Sequence, residues 1–316
     1  LNYDILIVAT GCKIAPQETE GMKGKNWHKN VFDFYTYEGS LALRNKLREF
    51  KGGKMVVHFT EMPIKCPVAP LEFVFLADSY FTKKGMRDKV ELTYVTPLGG
   101  AFTKPKATAA LSHLMKEKNI KVVTDFEIER VDNDNNQIVD YGERRVDYDL
   151  LVTVPTNMGD EVIERSGMGD DLNFVPTHHN TLQSLDNENV FVIGDATNVP
   201  ASKAGSVAHF ASETLTDNIL LYIDGKPLKE EFDGHANCFI ETGNNKALLI
   251  DFNYKQEPVE GTFPIPGIGP LKLLKESVFN HWGKLAFRWI YWNMLLKGIP
   301  IPMVSRNMTK KGKKIN

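Results

Sequence analysis

Short apolar runs that end at glycine, proline or polar residues dominate the hydrophobic pattern of this chain. They predict buried β-strands at residues 3–8, 54–60, 90–95, 150–154 and 190–193. Runs of this kind, apolar on successive positions rather than alternating, are typical of parallel strands that are covered on both faces. The pattern therefore predicts an α/β fold.

A different periodicity begins near the C-terminus, where apolar residues recur at spacings of three and four within residues 271–297. These residues are Val278, Trp282, Leu285, Trp289, Trp292 and Leu296. The spacing predicts one apolar stripe along a helix. The basic residues on its other faces are Lys275, Lys284, Arg288 and Lys297. Because tryptophan favours the bilayer interface, the stripe predicts a helix that lies in the membrane surface. The alternative is a helix that packs the stripe against the protein core.

Composition sets bounds on size and class. The chain has 316 residues, of which 42% are hydrophobic and 10% aromatic, which is enough for two folded domains with a sizeable core. It contains no run of 18 uncharged apolar residues, so no membrane-spanning helix is expected.

Charge is distributed unevenly along the chain. The net charge is −2, yet residues 272–316 carry ten Lys/Arg residues and Glu276 as their one acid, so the remainder is net acidic. Such separation favours an anionic partner for the C-terminal part. We expect a lipid surface, to which four lysines add roughly 1 kcal/mol each, namely Lys310, Lys311, Lys313 and Lys314. Nucleic acid would explain the basic residues but not the tryptophan stripe, so no nucleic-acid partner is expected.

Residues 189–213 form the most specific motif of the chain. The strand at 190–193 ends at Gly194–Asp195, and a helix of small residues is predicted to begin near Ala204–Gly205. Glycine permits close approach of the backbone to a ligand, and the carboxylate can accept a hydrogen bond from a ribityl hydroxyl. The helix N-terminus suits an anionic flavin ring. The run resembles the second FAD-binding motif of flavoproteins with two dinucleotide-binding domains, and it predicts FAD as cofactor.

The first strand agrees with this prediction. It ends in Ala9-Thr10-Gly11, a tripeptide that closes a strand beside the FAD in the same superfamily, so Thr10 and Gly11 are predicted to contact the cofactor. The Gly-x-Gly-x-x-Gly turn that normally holds the FAD pyrophosphate does not occur in the sequence. We therefore expect a fragment that lacks a first βαβ unit of roughly a hundred residues.

The turn after the strand at 54–60 lacks the features of a nicotinamide site. Where a glycine-rich turn would bind NAD(P)H, residues 61–70 read Glu-Met-Pro-Ile-Lys-Cys-Pro-Val-Ala-Pro. Three prolines there remove both the close backbone approach and the phosphate nest. The strand at 90–95 ends in Thr96-Pro97, without an acid for the ribose. The sequence thus predicts that electrons enter by another route, and Cys66 lies in this turn.

With these motifs the chain resembles the sulfide:quinone oxidoreductase family over essentially its whole length. The resemblance implies that Cys66 and Cys238 form the redox pair that takes sulfur from sulfide, and that Cys12 is a third cysteine, sometimes linked to the flavin. It also implies electron transfer from the cysteines through FAD to quinone. A lowered thiol pKa is expected for this chemistry. The alternative is that the three cysteines are small buried hydrophobic residues.

Four further residues acquire roles from this interpretation. Glu72 lies six residues after Cys66, where the family has an acid, and is predicted to relay protons; the alternative is a solvated carboxylate on a helix face. Lys203 is predicted to stabilise reduced flavin, or else to be a surface lysine. Phe239 and Phe279 are candidates to stack on the quinone ring, or else ordinary core residues. No spacing of histidine, cysteine and carboxylate residues indicates a metal site.

The expected architecture has two Rossmann-like domains that are interleaved in sequence. Residues 1–30 and 150–225 are predicted to form the FAD domain, residues 31–149 a degenerate NAD-like domain, and residues 226–316 a C-terminal segment with amphipathic membrane-binding helices. Glycines and prolines within 264–270 are predicted to form a hinge before the last helix.

The predicted protein is a monotopic membrane enzyme on the cytoplasmic rather than the periplasmic face, and the sequence leaves open whether it forms a homo-oligomer. Three rival functions stay open. One is a type II NADH:quinone oxidoreductase, against which the missing second glycine-rich turn argues. Another is the flavoprotein subunit of a sulfide dehydrogenase with a cytochrome acceptor, which would not require the tryptophan-rich helix. The third is a non-catalytic membrane-bound scaffold that keeps the flavin fold.

Overall fold

The computed structural model of the chain describes residues 2–314. Its strands, in chain order, are β1 (Leu6–Val8), β2 (Cys12–Ile14), β3 (Val31–Phe32), β4 (Gly53–Phe59), β5 (Val90–Val95), β6 (Lys121–Val123), β7 (Ile128–Asp132), β8 (Gln137–Asp140), β9 (Arg145–Asp147), β10 (Leu150–Val154), β11 (Asn157–Gly159), β12 (Val190–Val192), β13 (Ala236–Gly243), β14 (Lys246–Phe252), β15 (Gly261–Ile265) and β16 (Gly269–Leu273). Its α-helices are α1 (Tyr37–Glu49), α2 (Ala69–Lys83), α3 (Pro105–Glu117), α4 (Glu161–Arg165), α5 (Gly205–Ile223) and α6 (Val278–Asn293). The predicted mixed α/β class is confirmed.

A five-stranded parallel sheet of order β3-β10-β4-β5-β6 lies at the centre of the fold. Successive side chains of a strand point to opposite faces. Met55, Val57 and Phe59 accordingly join the core cluster formed with the helices, whereas Val56 joins the cluster that includes residues of β7 and β8. Both faces are covered, which explains why the runs at 90–95 and 150–154 are mainly apolar and, apart from Glu91, buried.

Strands β1 and β12 form a separate parallel pair, with Leu6 opposite Val190 and Val8 opposite Val192. The predicted strand at 3–8 is shorter than expected, and it is not buried throughout, because Ile7 is 51% exposed. Parallel pairing places the carboxyl ends of both strands at one edge. The segments that follow β1 and β12, which carry the flavin motifs, therefore begin side by side.

The C-terminal part contains the sheet β13-β14-β16-β15. The predicted hinge at 264–270 is wrong: β15 and β16 form an antiparallel hairpin in which Pro264 lies opposite Pro270. The last helix begins at Val278 rather than near 271, since Leu271–Leu273 belong to β16. Ser277 caps this helix by accepting a hydrogen bond of 3.0 Å from the Asn280 N–H, as expected for serine at that position.

The apolar stripe of α6 faces outward. Trp282, Leu285, Trp289 and Trp292 are each 61–68% exposed. The alternative prediction, that the stripe packs on the protein core, is therefore wrong. Within residues 2–314 no helix combines the length and the apolar character that crossing a bilayer requires.

The C-terminal lysines do not all face solvent. Lys313 forms an ion pair with Asp251 in which both side chains are almost fully buried, and Lys314 pairs with Glu260 at 2.8 Å. The expectation that all four C-terminal lysines attract lipid is wrong for Lys313, whose ammonium is used inside the protein. Lys310 and Lys311 are exposed.

Candidate active site

The two segments predicted to contact FAD meet at the edge where β1 and β12 end. Thr10 and Gly11 follow β1, and Gly194 and Asp195 follow β12. Cys12 links them, since its Sγ lies 3.9 Å from Asp195 Oδ2. In open α/β folds, ligands bind beyond the carboxyl ends of the strands. This edge is therefore the natural position for the predicted cofactor.

Lys203 is part of the interior rather than a surface lysine. Its Nζ donates hydrogen bonds to the carbonyl oxygens of Asp195 (2.8 Å) and Thr197 (2.7 Å) and lies 3.7 Å from the ring centroid of Phe174. Burial lowers the pKa of Lys203 to about 8. Because its ammonium is bound to two carbonyl groups, Lys203 holds the turn after β12 in place. Its contact with a flavin stays a prediction.

The N-terminus of α5 offers hydrogen-bond donors and open space to a ligand. No side chain caps this helix at Ala204, so its first N–H groups are available to a ligand. A Cβ added at Gly205 or at Gly11 would meet no atom within 4 Å. Burial raises the pKa of Asp195, and Lys203 and Lys65 oppose that shift. Open space, free N–H donors and a carboxylate acceptor together fit the ribityl and ring parts of FAD.

Cys66 is positioned by the flavin-motif loop itself. Its N–H donates a hydrogen bond of 2.6 Å to the Lys203 carbonyl, and its own carbonyl accepts one of 2.8 Å from Ala69 N–H at the start of α2. Lys65 N–H donates to Asn157 Oδ1 at 3.0 Å. The glycine-free loop between β4 and α2 is thereby held against the segment that precedes α5. Sequence reasoning identified the loop but not this contact.

One cavity of about 680 Å³ brings several predicted residues together. Cys66 and Cys238 both border it, the first solvent-accessible and the second buried on β13. Glu72 and Phe239 also line it, as do Ala204 and Gly205 at the start of α5. Its other walls are mainly apolar and come from the hairpin, α6 and the C-terminal segment, with Phe263, Leu271, Phe287, Ile290, Ile301 and Val304 among them.

Two predicted residues lie elsewhere. Phe279 is 65% exposed on the outer side of α6 and does not line this cavity. Cys12 contacts Asp195 and Asn157 rather than the cavity. The structure therefore groups Cys66 with Cys238 and places Cys12 with the flavin segments.

The expected lowering of the thiol pKa values is not what the environment produces. Burial raises the pKa of Cys66 to about 11, with a further contribution from Glu72, while Lys284 opposes the shift. Burial likewise raises the pKa of Cys238 to about 12. The helix N-terminus beside Cys66 acts in the expected direction but is outweighed by desolvation. In the reduced pair this environment therefore favours the protonated form of both thiols.

Glu72 is not the solvated carboxylate of the alternative prediction. It forms an ion pair with Lys284 of α6, and its Oε2 accepts a hydrogen bond of 3.0 Å from the Glu241 N–H. Glu241 in turn contacts His281 Nδ1 at 2.9 Å. Sequence reasoning missed Lys284 as a site residue. Its position beside Gly283, on the side of α6 opposite the tryptophans, was the available signal.

The sequence of the chain is similar to that of known proteins over most of its length. No family model matches the chain. The mitochondrial sulfide:quinone oxidoreductase of Mus musculus is 28% identical over 305 residues, which cover 94% of this chain. The chain is thus similar to a sulfide:quinone oxidoreductase over nearly its whole length. The resemblance predicted from the sequence is thus confirmed, and the chain spans 66% of the length of the mouse relative.

Solved structures share the fold. The sulfide:quinone oxidoreductase from Aquifex aeolicus matches with a TM-score of 0.73 at 20% identity, over 95% of this chain and 70% of that one. A chain in the mitochondrial ATP synthase of Tetrahymena thermophila matches with a TM-score of 0.69 at 20% identity, over 94% and 72%. At these identities the likeness concerns the fold of the family, not its chemistry.

Proposed function

We propose that this chain oxidises sulfide at Cys66 and Cys238 and passes the electrons through FAD to a quinone at a membrane surface. The observation that carries the proposal is the shared cavity. Two cysteines that are distant in sequence border it together, and it reaches the uncapped start of α5. Similarity to sulfide:quinone oxidoreductases favours the same activity.

The proposed chemistry starts from the oxidised cysteine pair. Hydrosulfide attacks one sulfur of a Cys66–Cys238 disulfide, so that one S–S bond forms, another breaks, and a persulfide and a thiolate result. The mainly apolar walls limit the access of water to the persulfide. The raised thiol pKa values favour uptake of a proton by the released thiolate. Glu72, whose carboxylate pairs with Lys284, would relay that proton from solvent.

FAD would be held by the segments at the end of β1 and β12 and by the start of α5. We propose Thr10, Gly11, Asp195 and Gly205 as contacts. They lie in the predicted FAD unit of residues 1–30 and 150–225, except that Leu150–Val154 belong to the central sheet instead. When bound, FAD supplies the two-electron acceptor that sulfide oxidation requires. The residues of this chain position it, and Lys203 keeps the turn that carries Asp195 in shape.

The outward stripe of α6 supports attachment to a membrane. Exposed tryptophans on one side of an amphipathic helix favour the bilayer interface, and Lys310 and Lys311 add attraction to anionic lipid. The cavity walls formed by α6 would then give a lipid-soluble quinone a route to the site, with Phe239 beside its ring and Phe279 nearer the lipid. We propose a peripheral protein on the cytoplasmic face.

The function is tested anaerobically on the chain loaded with FAD. Sulfide alone is expected to bleach the flavin absorbance, and a quinone analogue is expected to restore it. Bleaching by NADH alone would instead establish a nicotinamide-dependent quinone reductase. A chain that binds FAD but responds to neither donor would support the scaffold function.

Membrane attachment gives a separate prediction. Changing Trp282→Ala and Trp289→Ala together should weaken binding to anionic liposomes by at least about tenfold, because each buried aromatic side chain contributes roughly 1–2 kcal/mol. Co-sedimentation with liposomes measures the effect. Tyr37→Ala provides the control, since Tyr37 is even more exposed than these tryptophans but lies on α1. Equal binding of the double variant and the unchanged chain would contradict the membrane role.

A further inference from the structure

Helix α6 has two different faces. Its outer face exposes Trp282, Leu285 and Trp289. Its inner face borders the cavity with Phe287, and Lys284 is the charged residue on that face. The helix that carries the tryptophans therefore also brings a cation to the cavity of the cysteines.

A glycine allows the close contact that places this cation. A Cβ added at Gly283 would lie 3.2 Å from Phe239 Cζ and 3.0 Å from the Leu271 side chain, tighter than ordinary packing. Without a side chain there, α6 lies directly against β13, the strand that holds Cys238. Lys284 then reaches Glu72 on α2 and forms the ion pair that closes this side of the cavity.

The two charges of this pair act on Cys66 in opposite directions. After burial, the Glu72 carboxylate is the largest influence that raises the pKa of Cys66, and the Lys284 ammonium lowers it. Lys284 also lowers the pKa of Cys238. This is the expected behaviour, because a positive charge stabilises a thiolate and a negative charge destabilises it.

Other ionisable groups face the same region. Glu241 and His281 pair with each other beside the Glu72 carboxylate. His209 of α5 lines the cavity, and its Nε2 lies 3.8 Å from Glu213 Oε1. Burial lowers the pKa of His209. These groups stay unchanged in the experiment below, so a difference between variants at one pH reports on the altered charge.

We propose that Lys284 is a positioning residue for the thiol chemistry: from the inner face of α6, its ammonium stabilises the thiolate of Cys66 against the adjacent Glu72. This role deepens the proposed function, and the part of Lys284 in turnover rests on that function. The charge effect itself exists in the chain without sulfide or quinone. Reactivity of the thiol can therefore be measured separately from enzyme activity.

The experiment measures alkylation of Cys66 by iodoacetamide at pH 8.5 in the full chain, with the Cys66 peptide quantified by mass spectrometry. Below the thiol pKa the rate follows the thiolate fraction, and a neighbouring charge changes that pKa by about one unit or more. Lys284→Met should therefore lower the rate about tenfold. Glu72→Gln should raise it, the double variant should return near the original rate, and Lys284→Arg should retain it.

Arg288→Met is the matched control, because Arg288 lies on the exposed side of the same helix; its rate should not change. An unchanged rate in Lys284→Met, with normal circular dichroism and Tm, would overturn the proposal and leave Lys284 a structural counter-ion. If Lys284→Met does not fold, Glu72→Gln decides, and an unchanged rate there overturns it equally. A chain that shows these rate changes but does not oxidise sulfide would refute the proposed function alone.

Discussion

Replacing Cys238 by serine is expected to lower sulfide-dependent quinone reduction by at least about a thousandfold, as removal of a covalent nucleophile commonly does. Cys66→Ser should have the same effect. Serine cannot form the bond to sulfur that the proposed exchange requires, while its size preserves the packing around β13. Anaerobic assays with sulfide and a quinone analogue measure the loss, and the flavin absorbance reports whether FAD is retained.

Cys12→Ser is the informative comparison. Cys12 contacts Asp195 and Asn157, so its replacement should affect retention of FAD rather than reaction with sulfide. With FAD in excess, we expect its activity within about tenfold of the original. Full activity of Cys238→Ser, or a loss in Cys12→Ser as large as that in Cys66→Ser, would contradict the assignment of the redox pair.

Replacing Lys313 by methionine is expected to destabilise the protein by about 3 kcal/mol, since it leaves Asp251 buried without its cation. Asp251 still accepts a hydrogen bond of 2.7 Å from His235 Nε2. We therefore expect a loss of stability at the lower end of the range for a broken buried ion pair. Thermal unfolding should show a fall in Tm of roughly 5 °C. Faster tryptic cleavage near Arg306 should accompany it, because the C-terminal segment is released.

The loss of stability in Lys313→Met should depend on pH in a defined direction. Burial raises the pKa of Asp251, but His235 and Lys313 lower it by more. The pKa therefore lies below its ordinary value. Stability from the pair is therefore fully present above the ordinary pKa of 3.8 and is lost as the pH falls through the lower value in the folded protein. The difference in Tm between Lys313→Met and the original chain should thus be full at pH 7 and smaller near pH 3.

Lys310→Met serves as the control, because Lys310 is exposed in the same segment. Its replacement should change the stability by less than about 0.5 kcal/mol. An equal Tm for Lys313→Met and Lys310→Met at pH 7 would show that the buried pair does not hold the C-terminal segment.

Features that depend on neighbouring residues were predictable from the sequence. The strand at 90–95 and the strand at 150–154 are found with the predicted bounds, and the flavin-motif helix begins at Gly205 as expected. Continuous apolar runs and a glycine-acid pair at a strand end are local signals. They depend little on what the rest of the chain does.

Features that depend on pairing between distant segments were not predictable in the same way. Residues 264–270 read as a hinge because proline and glycine interrupt regular structure, yet β15 and β16 pair across them. The alternative prediction that Glu72 is a solvated carboxylate is wrong for a similar reason. Its partner, Lys284, lies on a helix more than two hundred residues later in the chain.

The sequence by itself determined the α/β class, the resemblance to sulfide:quinone oxidoreductases, the loss of the second glycine-rich turn and the choice of Cys66 and Cys238 as candidates. Only the tertiary structure decided that Cys66 and Cys238 share a cavity while Cys12 does not, that the tryptophans face outward, and that Lys313 is buried. It also decided the direction of the thiol pKa shifts. Desolvation and Coulomb interactions depend on distances in space, and folding sets those distances between residues that the sequence keeps far apart.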